Sequence, residues 1–428
     1  EESVIRYLAE FIASGSVFKG KRPVHWCAHC RTALAEAEII YKDKTSPSIY
    51  VKFPVGPEVE AKFPHLKGKK ASVVIWTTTP WTLPANQAIA FRRPYEYAAF
   101  EAGGEVLIAA KRLIPVLAEM FGLSDPKIVL SMPGKDLEGL KARHPWIGRE
   151  ALFVLADYVT LDDGTGCVHT APGHGYEDYL TGLAYGLDIY TPVDDDGKFT
   201  RDVERYAGID VFKANTIINA DMKKQGVLLH EGEIGHSYPH CWRCKNPVIF
   251  RATSQWFISM DKNDLRKRTL AEIKRVAWIP AWAEERISTM MAARPDWCIS
   301  RQRTWGVPIA LLIHKETGAL HPETRALIEE VANRVESRGV DAWFDLLPQD
   351  LVGEEEGAQY TKVGDTLDVW FDSGVTHACV LERRPELDAP ADLYLEGSDQ
   401  HRGWFQSSLL TSVAMTGRAP YGEVLTHG

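Results

Sequence analysis

Val73-Val74-Ile75-Trp76-Thr77-Thr78-Thr79-Pro80-Trp81-Thr82-Leu83-Pro84-Ala85-Asn86 changes character partway along. Its first four residues are β-branched or aromatic, the composition of a buried strand. Three threonines follow, then two prolines, whose fixed φ and missing N–H end a strand. The segment predicts a strand that delivers three hydroxyls to the rim of a sheet. Two readings fit: an edge strand running into a rigid loop, or a row of hydroxyls facing a ligand.

Outward from this strand the β pattern continues. Short runs at Ser48–Phe53, Ala71–Trp76, Tyr97–Phe100, Glu105–Ala109 and Ala151–Leu155 are separated by turn residues, with helical pieces near 111–121 and 177–186. Many short strands at this spacing predict a compact β-barrel-like domain over 45–235. Before it, residues 1–16 read as an amphipathic helix with Val4, Ile5, Leu8, Phe11 and Ile12 on one face. After it, 261–345 is helix-rich, and core packing accounts for the stripe Leu327, Ile328, Val331, Val335. From 366 onward the pattern is strand then helix: Tyr394–Gly397 reads as a strand end, followed by a helix from Gln400 to Met415 capped by Ser398 or Asp399. The fold class is therefore α/β and multi-domain.

Composition narrows the function classes. The 428 residues exceed one ordinary core, and 45% hydrophobic with 25% charged residues is usual for a globular protein. No run approaches the roughly 20 apolar residues of a membrane span, and the first residues lack the basic start and apolar stretch of a secretory signal. A cytoplasmic protein without membrane partners is expected, a monomer, and the opening directly on a helix without an initiator Met points to a segment of something larger. The net charge of −9 argues against nucleic-acid binding through a globally basic surface. Lys67-Gly68-Lys69-Lys70 and Arg266-Lys267-Arg268 are either local basic tracks or solvated faces.

Four of the seven cysteines fall in two Cys-x-x-Cys pairs, Cys27/Cys30 and Cys241/Cys244. In a reducing compartment the four thiolates are the ligand set of a closed structural zinc site. Their long separation in sequence weakens that pairing, and a domain inserted between the two knuckles restores it, because entry and exit strands of an insertion lie close together. Reduced free thiols are the alternative. Cys167, Cys298 and Cys379 are isolated and expected to be packed.

A second informative segment is Gly164-Thr165-Gly166-Cys167-Val168-His169-Thr170-Ala171-Pro172-Gly173-His174-Gly175-Tyr176-Glu177-Asp178-Tyr179. Its glycines let backbone amides approach a ligand, and its acidic pair opens a helix, where it serves as a dipole partner or a ligand. A lone histidine on such a loop is either structural or functional.

The threonine string and this glycine-rich loop together resemble the editing pocket of isoleucyl-tRNA synthetases; relatives handling valine or leucine typically carry an arginine after two threonines, where Thr79 and Pro80 stand here. The resemblance implies that Asp178 holds the α-amino group of a misattached amino acid, that His169 walls out the larger side chain, and that Thr77, Thr78, Thr79 and Asn86 orient the terminal ribose and an attacking water. With no Ser-His-Asp order and no activated cysteine, hydrolysis without a covalent intermediate is expected.

Further segments carry the same resemblance. Arg294-Pro295-Asp296-Trp297-Cys298-Ile299-Ser300-Arg301-Gln302-Arg303-Thr304-Trp305-Gly306-Val307-Pro308 looks like the point where an insertion rejoins the catalytic domain. Asp368-Val369-Trp370-Phe371-Asp372-Ser373-Gly374 and Tyr394 to Phe405 look like the second half of a class I Rossmann fold. By this match Glu396, Gly397, Asp399, Gln400 and Trp404 contact isoleucyl-adenylate, Trp370 lines the amino-acid pocket, and His427 begins the adenosine side. The family's His-x-Gly-His and Lys-Met-Ser-Lys-Ser strings are absent, so the chain by itself is expected not to form the adenylate.

The expected organisation is a helix and first knuckle (1–44), an editing domain (45–235), a second knuckle with return strands (236–260), a helical connection (261–365) and the second half of a Rossmann domain (366–428). The expected function is that of an isoleucine–tRNA ligase segment: the full enzyme activates isoleucine with ATP and Mg²⁺ as substrate, charges tRNA(Ile), and in its editing site hydrolyses valyl-adenylate and valyl-tRNA(Ile) held by its 3′ end. The rivals are a valyl- or leucyl-type relative, a free-standing editing hydrolase, and a non-enzymatic zinc-stabilised tRNA-binding module.

Overall fold

The computed structural model describes residues 1–124 and 126–428. They divide into two compact units, one formed by Lys21–Arg31 with Ile40–Thr253, the other by Glu1–Gly20, Thr32–Ile39 and Ser254–Gly428. The chain crosses between them four times, three times inside continuous strands, Val17–Cys27, Ile39–Pro54 and Ile249–Ile258, and once between Arg31 and Thr32.

The first unit is built on a mixed sheet. Its order runs Ile128–Pro133, Glu96–Ala102, Glu105–Ala110, Ala71–Thr77, Val168–Thr170, Ala88–Phe91, Glu150–Leu155, Lys141–Arg143, and the long strands Ile39–Pro54 and Leu228–Cys241 join it through Ala71–Thr77. Beyond Pro54, Val55 bridges Ala142 and the Gly56 amide donates to the Lys141 carbonyl at 2.8 Å. The last strand thus returns to the neighbour of Ala71–Thr77, and the sheet curls back on itself as the string of short strands predicts. Val73, Val74 and Ile75 are fully buried, which explains their unbroken apolar run: this strand has covered faces on both sides. The packed side chains include Val74, Phe100, Ala109 and Leu117, the last on the helix Ile114–Met120.

Two features of this unit lie outside the pattern of short strands. The helix Val211–Lys224 carries polar residues on its buried face and is started by Asp210, whose Oδ1 accepts from the amides of Phe212 and Lys213, both at 3.1 Å. The short 3₁₀ turn Pro80–Ala85 is fully buried, and Asn215 of that helix accepts from the Trp81 amide at 2.9 Å. A backbone donor freed by the proline-rich turn is thereby satisfied.

The second unit packs the helices Glu2–Ala13, Leu265–Ile273, Trp282–Ala293, Thr324–Arg338 and Trp404–Thr416 around a core including Ile5, Leu8, Phe11, Ile328, Val331, Phe371 and Leu409. Leu327 lies partly buried at its edge. Three parallel strands, Ala277–Ile279, Tyr421–His427 and Ala391–Gly397, form a small sheet in that order. The last helix starts at Trp404, not at Gln400, and neither Ser398 nor Asp399 caps it. Ser398–His401 is a separate 3₁₀ turn, and Gly403, at φ −110 and ψ −119, breaks the path before the helix. The Gln400 side chain accepts from the Trp404 amide at 2.9 Å instead. Arg266 and Arg268 are structural: Arg266 donates to the carbonyls of Met291, Ala292 and Arg294, and Arg268 to that of Val413.

Candidate functional site

Strand Ala71–Thr77 ends beside strand Val168–Thr170, with Trp76 opposite Val168. Where the two strands end, a cavity of about 390 Å³ opens, and Thr77, Thr78, Thr79, Thr82, Tyr158, Cys167, His169, His174 and Asp178 are among the residues lining it. Five of the six editing candidates therefore share one space. Asn86 does not line it. At 1% exposure it stands behind His169 and donates to His169 Nδ1 at 2.7 Å.

The hydroxyls form a chain. The Thr79 amide donates to Thr77 Oγ1 at 3.1 Å, Thr77 and Thr79 hydroxyls are 3.3 Å apart, and Thr79 and Thr82 hydroxyls 3.4 Å apart. Thr82 Oγ1 donates to the Thr79 carbonyl at 2.9 Å and lies 2.9 Å from His169 Nε2. Gly164 closes one wall: its φ of +76 belongs to glycine, and a Cβ there would stand 2.8 Å from the Trp76 ring.

Burial sets the charge state of the lining. Asp178, on the first turn of the helix Tyr176–Ala184, is pushed up to about 7 by burial, against the Ala171 amide that donates to it at 2.8 Å. His169 is pushed down to about 3 by burial, with His144 and His174 adding to the effect. His174, whose Nδ1 donates to the Phe250 carbonyl at 2.9 Å, is pushed down to about 4, also by burial first. The Cys167 thiol is pushed up by burial. The cavity thus holds neutral imidazoles, an inert thiol and a buried carboxyl poised near neutrality, and the exposed Asp163 also lines it. It suits a bound cation and offers no activated nucleophile.

In the other unit, the carboxyl ends of the parallel strands bring the second group of candidates together. Glu396 pairs with Thr426 and Gly397 with His427. Trp404 lies flat on Tyr394, centroids 3.9 Å apart at 10°, and its indole donates to the Ser373 carbonyl at 3.0 Å. Gln400 donates to Asp399 at 3.0 Å. Gly403 has no room for a Cβ, which would meet the Gln400 side chain and stand 2.7 Å from the Trp370 ring. Such an edge is where parallel sheets receive ligands.

The same unit contains a buried ion cluster that sequence reasoning passed over. Arg301 Nη2 lies 2.8 Å from Glu38 and 2.9 Å from Asp368, close ion pairs off the line of hydrogen bonding, while Arg301 Nε donates to Glu38 at 2.9 Å. Asp368 also accepts from the Trp297 indole at 2.8 Å and from the Trp370 amide at 3.1 Å. Its carboxyl is pushed up by burial, with Arg301 opposing. A larger groove of about 850 Å³ runs along Glu2–Ala13 and Thr324–Arg338. Most of its charges are paired, Arg6 with Glu329, Arg325 with Glu10 and Arg383 with Glu2.

The four cysteines of the two pairs converge within the sheet unit, each offering a sulfur, and the four sulfurs lie within 4.8 Å of one another. Cys27 Sγ is 3.4 Å from Cys244 Sγ, and the Cys30 amide donates to Cys27 Sγ at 3.4 Å. Within this coupled set Cys241 is held toward thiolate, foremost by the Cys27 thiol donating to it. Cys167 and Cys298 are buried and Cys379 partly so, as packing residues.

The model of the tRNA synthetases class I (I, L, M and V) matches residues 1–428. The chain belongs to this family. Isoleucine–tRNA ligases of Thioalkalivibrio sulfidiphilus (strain HL-EbGR7) and Methylococcus capsulatus (strain ATCC 33009 / NCIMB 11132 / Bath) are each 54% identical to the chain over its whole length. It covers 46% of each, so it spans about half the length of the curated relatives it matches. A solved structure described as the crystal structure of GlLeuRS-CP1 is covered to 99% and covers 43% of the chain, at 14% identity and a TM-score of 0.35. Among the described residues no helix is long and apolar enough to cross a membrane.

Thr82, Tyr158 and the Arg301 cluster were absent from the sequence-derived candidates. Thr82 and Arg301 lie inside the segments that carry the resemblance, three residues past Thr79 and seven past Arg294. Their partners, His169 and Glu38, are remote in sequence.

Proposed function

We propose that the chain is a segment of an isoleucine–tRNA ligase and that its sheet unit is the hydrolytic editing site for valyl-tRNA(Ile). The observation that carries this reading is the convergence of Thr77, Thr78, Thr79, His169 and Asp178 on one cavity whose described lining includes no lysine or arginine. In it, the ionised Asp178 pairs with the α-ammonium of the aminoacyl ester, His169 limits the side chain that enters, and the threonine hydroxyls orient the ribose and a water. The water attacks the ester carbonyl directly, with a ribose hydroxyl of the substrate assisting. Cys167 is excluded as a nucleophile by its buried thiol. Asn86 acts from behind, through His169.

Such a site has a physical purpose. One methylene discriminates by only about 1–3 kcal/mol in a hydrophobic pocket, a figure established for this family rather than calculated from this chain. A second site that accepts the smaller product removes the error.

The edge formed by Glu396, Gly397, Asp399, Gln400 and His427, with Trp370 and Trp404, is proposed to hold isoleucyl-adenylate in the whole enzyme. There isoleucine, ATP with Mg²⁺ and tRNA(Ile) are the substrates, the parallel strands belong to the second half of a Rossmann domain, and 261–365 is the helical connection. The sheet unit, 45–235 with the returning strands, is the inserted editing domain. Cys27, Cys30, Cys241 and Cys244 fit a tetrahedral zinc by number, softness and proximity. They would hold it at the base of that domain as a structural ion.

The deciding experiment compares deacylation of valyl-tRNA(Ile), isoleucyl-tRNA(Ile) and threonyl-tRNA(Val) by the purified chain, with Asp178→Ala as control. Hydrolysis confined to valyl-tRNA(Ile) and lost in the variant supports the reading. Turnover of threonyl-tRNA(Val) in preference reassigns the site to a valyl-type relative, and binding without turnover leaves a tRNA-holding module.

A further inference from the structure

Two buried side chains fix the state of His169, and together they determine what the imidazole can do. Asn86 Nδ2 lies 2.9 Å from the Ala88 carbonyl and 2.7 Å from His169 Nδ1. A carbonyl only accepts, so the amide nitrogen, not the amide oxygen, must face Ala88, and that same NH₂ group also meets Nδ1. The remaining Asn86 atom, Oδ1, is buried without a hydrogen-bond partner. Nδ1 is therefore an acceptor, and in a neutral ring the proton sits on Nε2.

The other end closes the assignment. Thr82 Oγ1 spends its single proton on the Thr79 carbonyl at 2.9 Å, so toward His169 Nε2, also at 2.9 Å, it accepts. The polarity runs one way, from Asn86 amide to imidazole to Thr82 hydroxyl to Thr79 carbonyl. Both ring nitrogens are committed, and His169, 8% exposed, cannot swing without breaking a buried bond.

We propose that Thr82 and Asn86 are positioning residues that lock His169 as a fixed, neutral Nε2–H wall of the cavity, so that it sets substrate size and takes no part as a proton acceptor. The size consequence rests on the editing reading above; the lock does not. Removing the Thr82 acceptor releases the ring, and the cavity then admits the longer isoleucyl side chain.

Two measurements separate the lock from its consequence. In the 428-residue chain labelled with nitrogen-15 histidine, His169 is assigned by loss of its signals in His169→Gln. The expected wild-type pattern is the Nε2–H tautomer. In Thr82→Val that pattern shifts toward an averaged ring, and Thr82→Ser, which keeps the hydroxyl, restores it. An Nδ1–H pattern in the wild type, or an unchanged pattern in Thr82→Val, overturns the lock. The second measurement is the ratio of isoleucyl- to valyl-tRNA(Ile) hydrolysis, expected to rise about tenfold in Thr82→Val, in line with the discrimination one methylene supplies, and to return to the wild-type ratio in Thr82→Ser. An altered tautomer with an unchanged ratio overturns the specificity role. A wild-type chain that hydrolyses neither ester overturns the editing reading and with it that role, while the tautomer still decides the lock.

Discussion

The amide of Ala171 donates to Asp178 Oδ2 at 2.8 Å, yet one backbone donor does not offset the burial of that carboxyl, which is pushed up to about 7. Above its unfolded value of 3.8 the unfolded chain releases this proton while the folded chain keeps it. The group therefore lowers stability increasingly as pH rises from about 4 to about 7, and by a constant amount above that. Asp178→Asn is expected to match wild type near pH 4 and to exceed it by up to a few kcal/mol at pH 8, read from urea midpoints across that range. Deacylation needs the ionised form to hold an ammonium, so its rate in wild type is expected to climb through pH 7 and to be lost in Asp178→Ala.

Asp178, His169 and the threonines were legible because each sits in a short string whose residue types carry chemistry locally. The same holds for the strand Ala71–Thr77, whose unbroken apolar run marks a strand covered on both faces. Thr82 and Asn215 were not legible, because their meaning lies in partners 87 and 134 residues away. The helix Val211–Lys224 escaped notice although Val211, Ala214, Ile218 and Met222 repeat at helical spacing, because Asn215, Asn219 and Asp221 interleave with them on the same buried face and dilute the apolar stripe. The start of the last helix was misplaced because Ser398 and Asp399 look like caps, whereas Gly403 and the Gln400 side chain set the boundary.

Arg301 joins Glu38, 263 residues earlier, to Asp368 in a pocket where all three are nearly inaccessible. Burial alone would lower the guanidinium, and Asp368 followed by Glu38 reverses that. Removing the cation leaves two carboxyls without a counter-charge. Arg301→Leu is expected to cost about 3–5 kcal/mol, measured by urea unfolding at pH 7. Glu38→Gln is expected to cost less, since Arg301 keeps Asp368.

The four sulfurs within 4.8 Å lead to a metal prediction. The purified chain is expected to carry one zinc, measured by atomic emission, and a strong chelator is expected to lower the thermal midpoint of the sheet unit because binding energy here is folding energy. Cys241→Ser is expected to abolish stoichiometric zinc and to show no further loss on chelation. A metal-free chain with an unchanged midpoint would instead leave reduced packed thiols.

Gly164 adopts a left-handed φ of +76 directly over Trp76, where an added Cβ would stand 2.8 Å from the ring. Two separate penalties follow from one methyl group: backbone strain, because a side chain disfavours this conformation, and displacement of an indole whose Nε1 is tied to Ser48 Oγ at 2.9 Å. Gly164→Ala is expected to destabilise the sheet unit by about 1–3 kcal/mol. Trp76 lines the cavity beside Thr77, so the same substitution is expected to reduce deacylation by more than its loss of folded protein accounts for. Rates normalised to the folded fraction at 25 °C, with Gly68→Ala as a positive-φ control that meets no neighbour, separate the two effects: strain alone would make both variants lose stability while only the indole's displacement would lower the normalised rate.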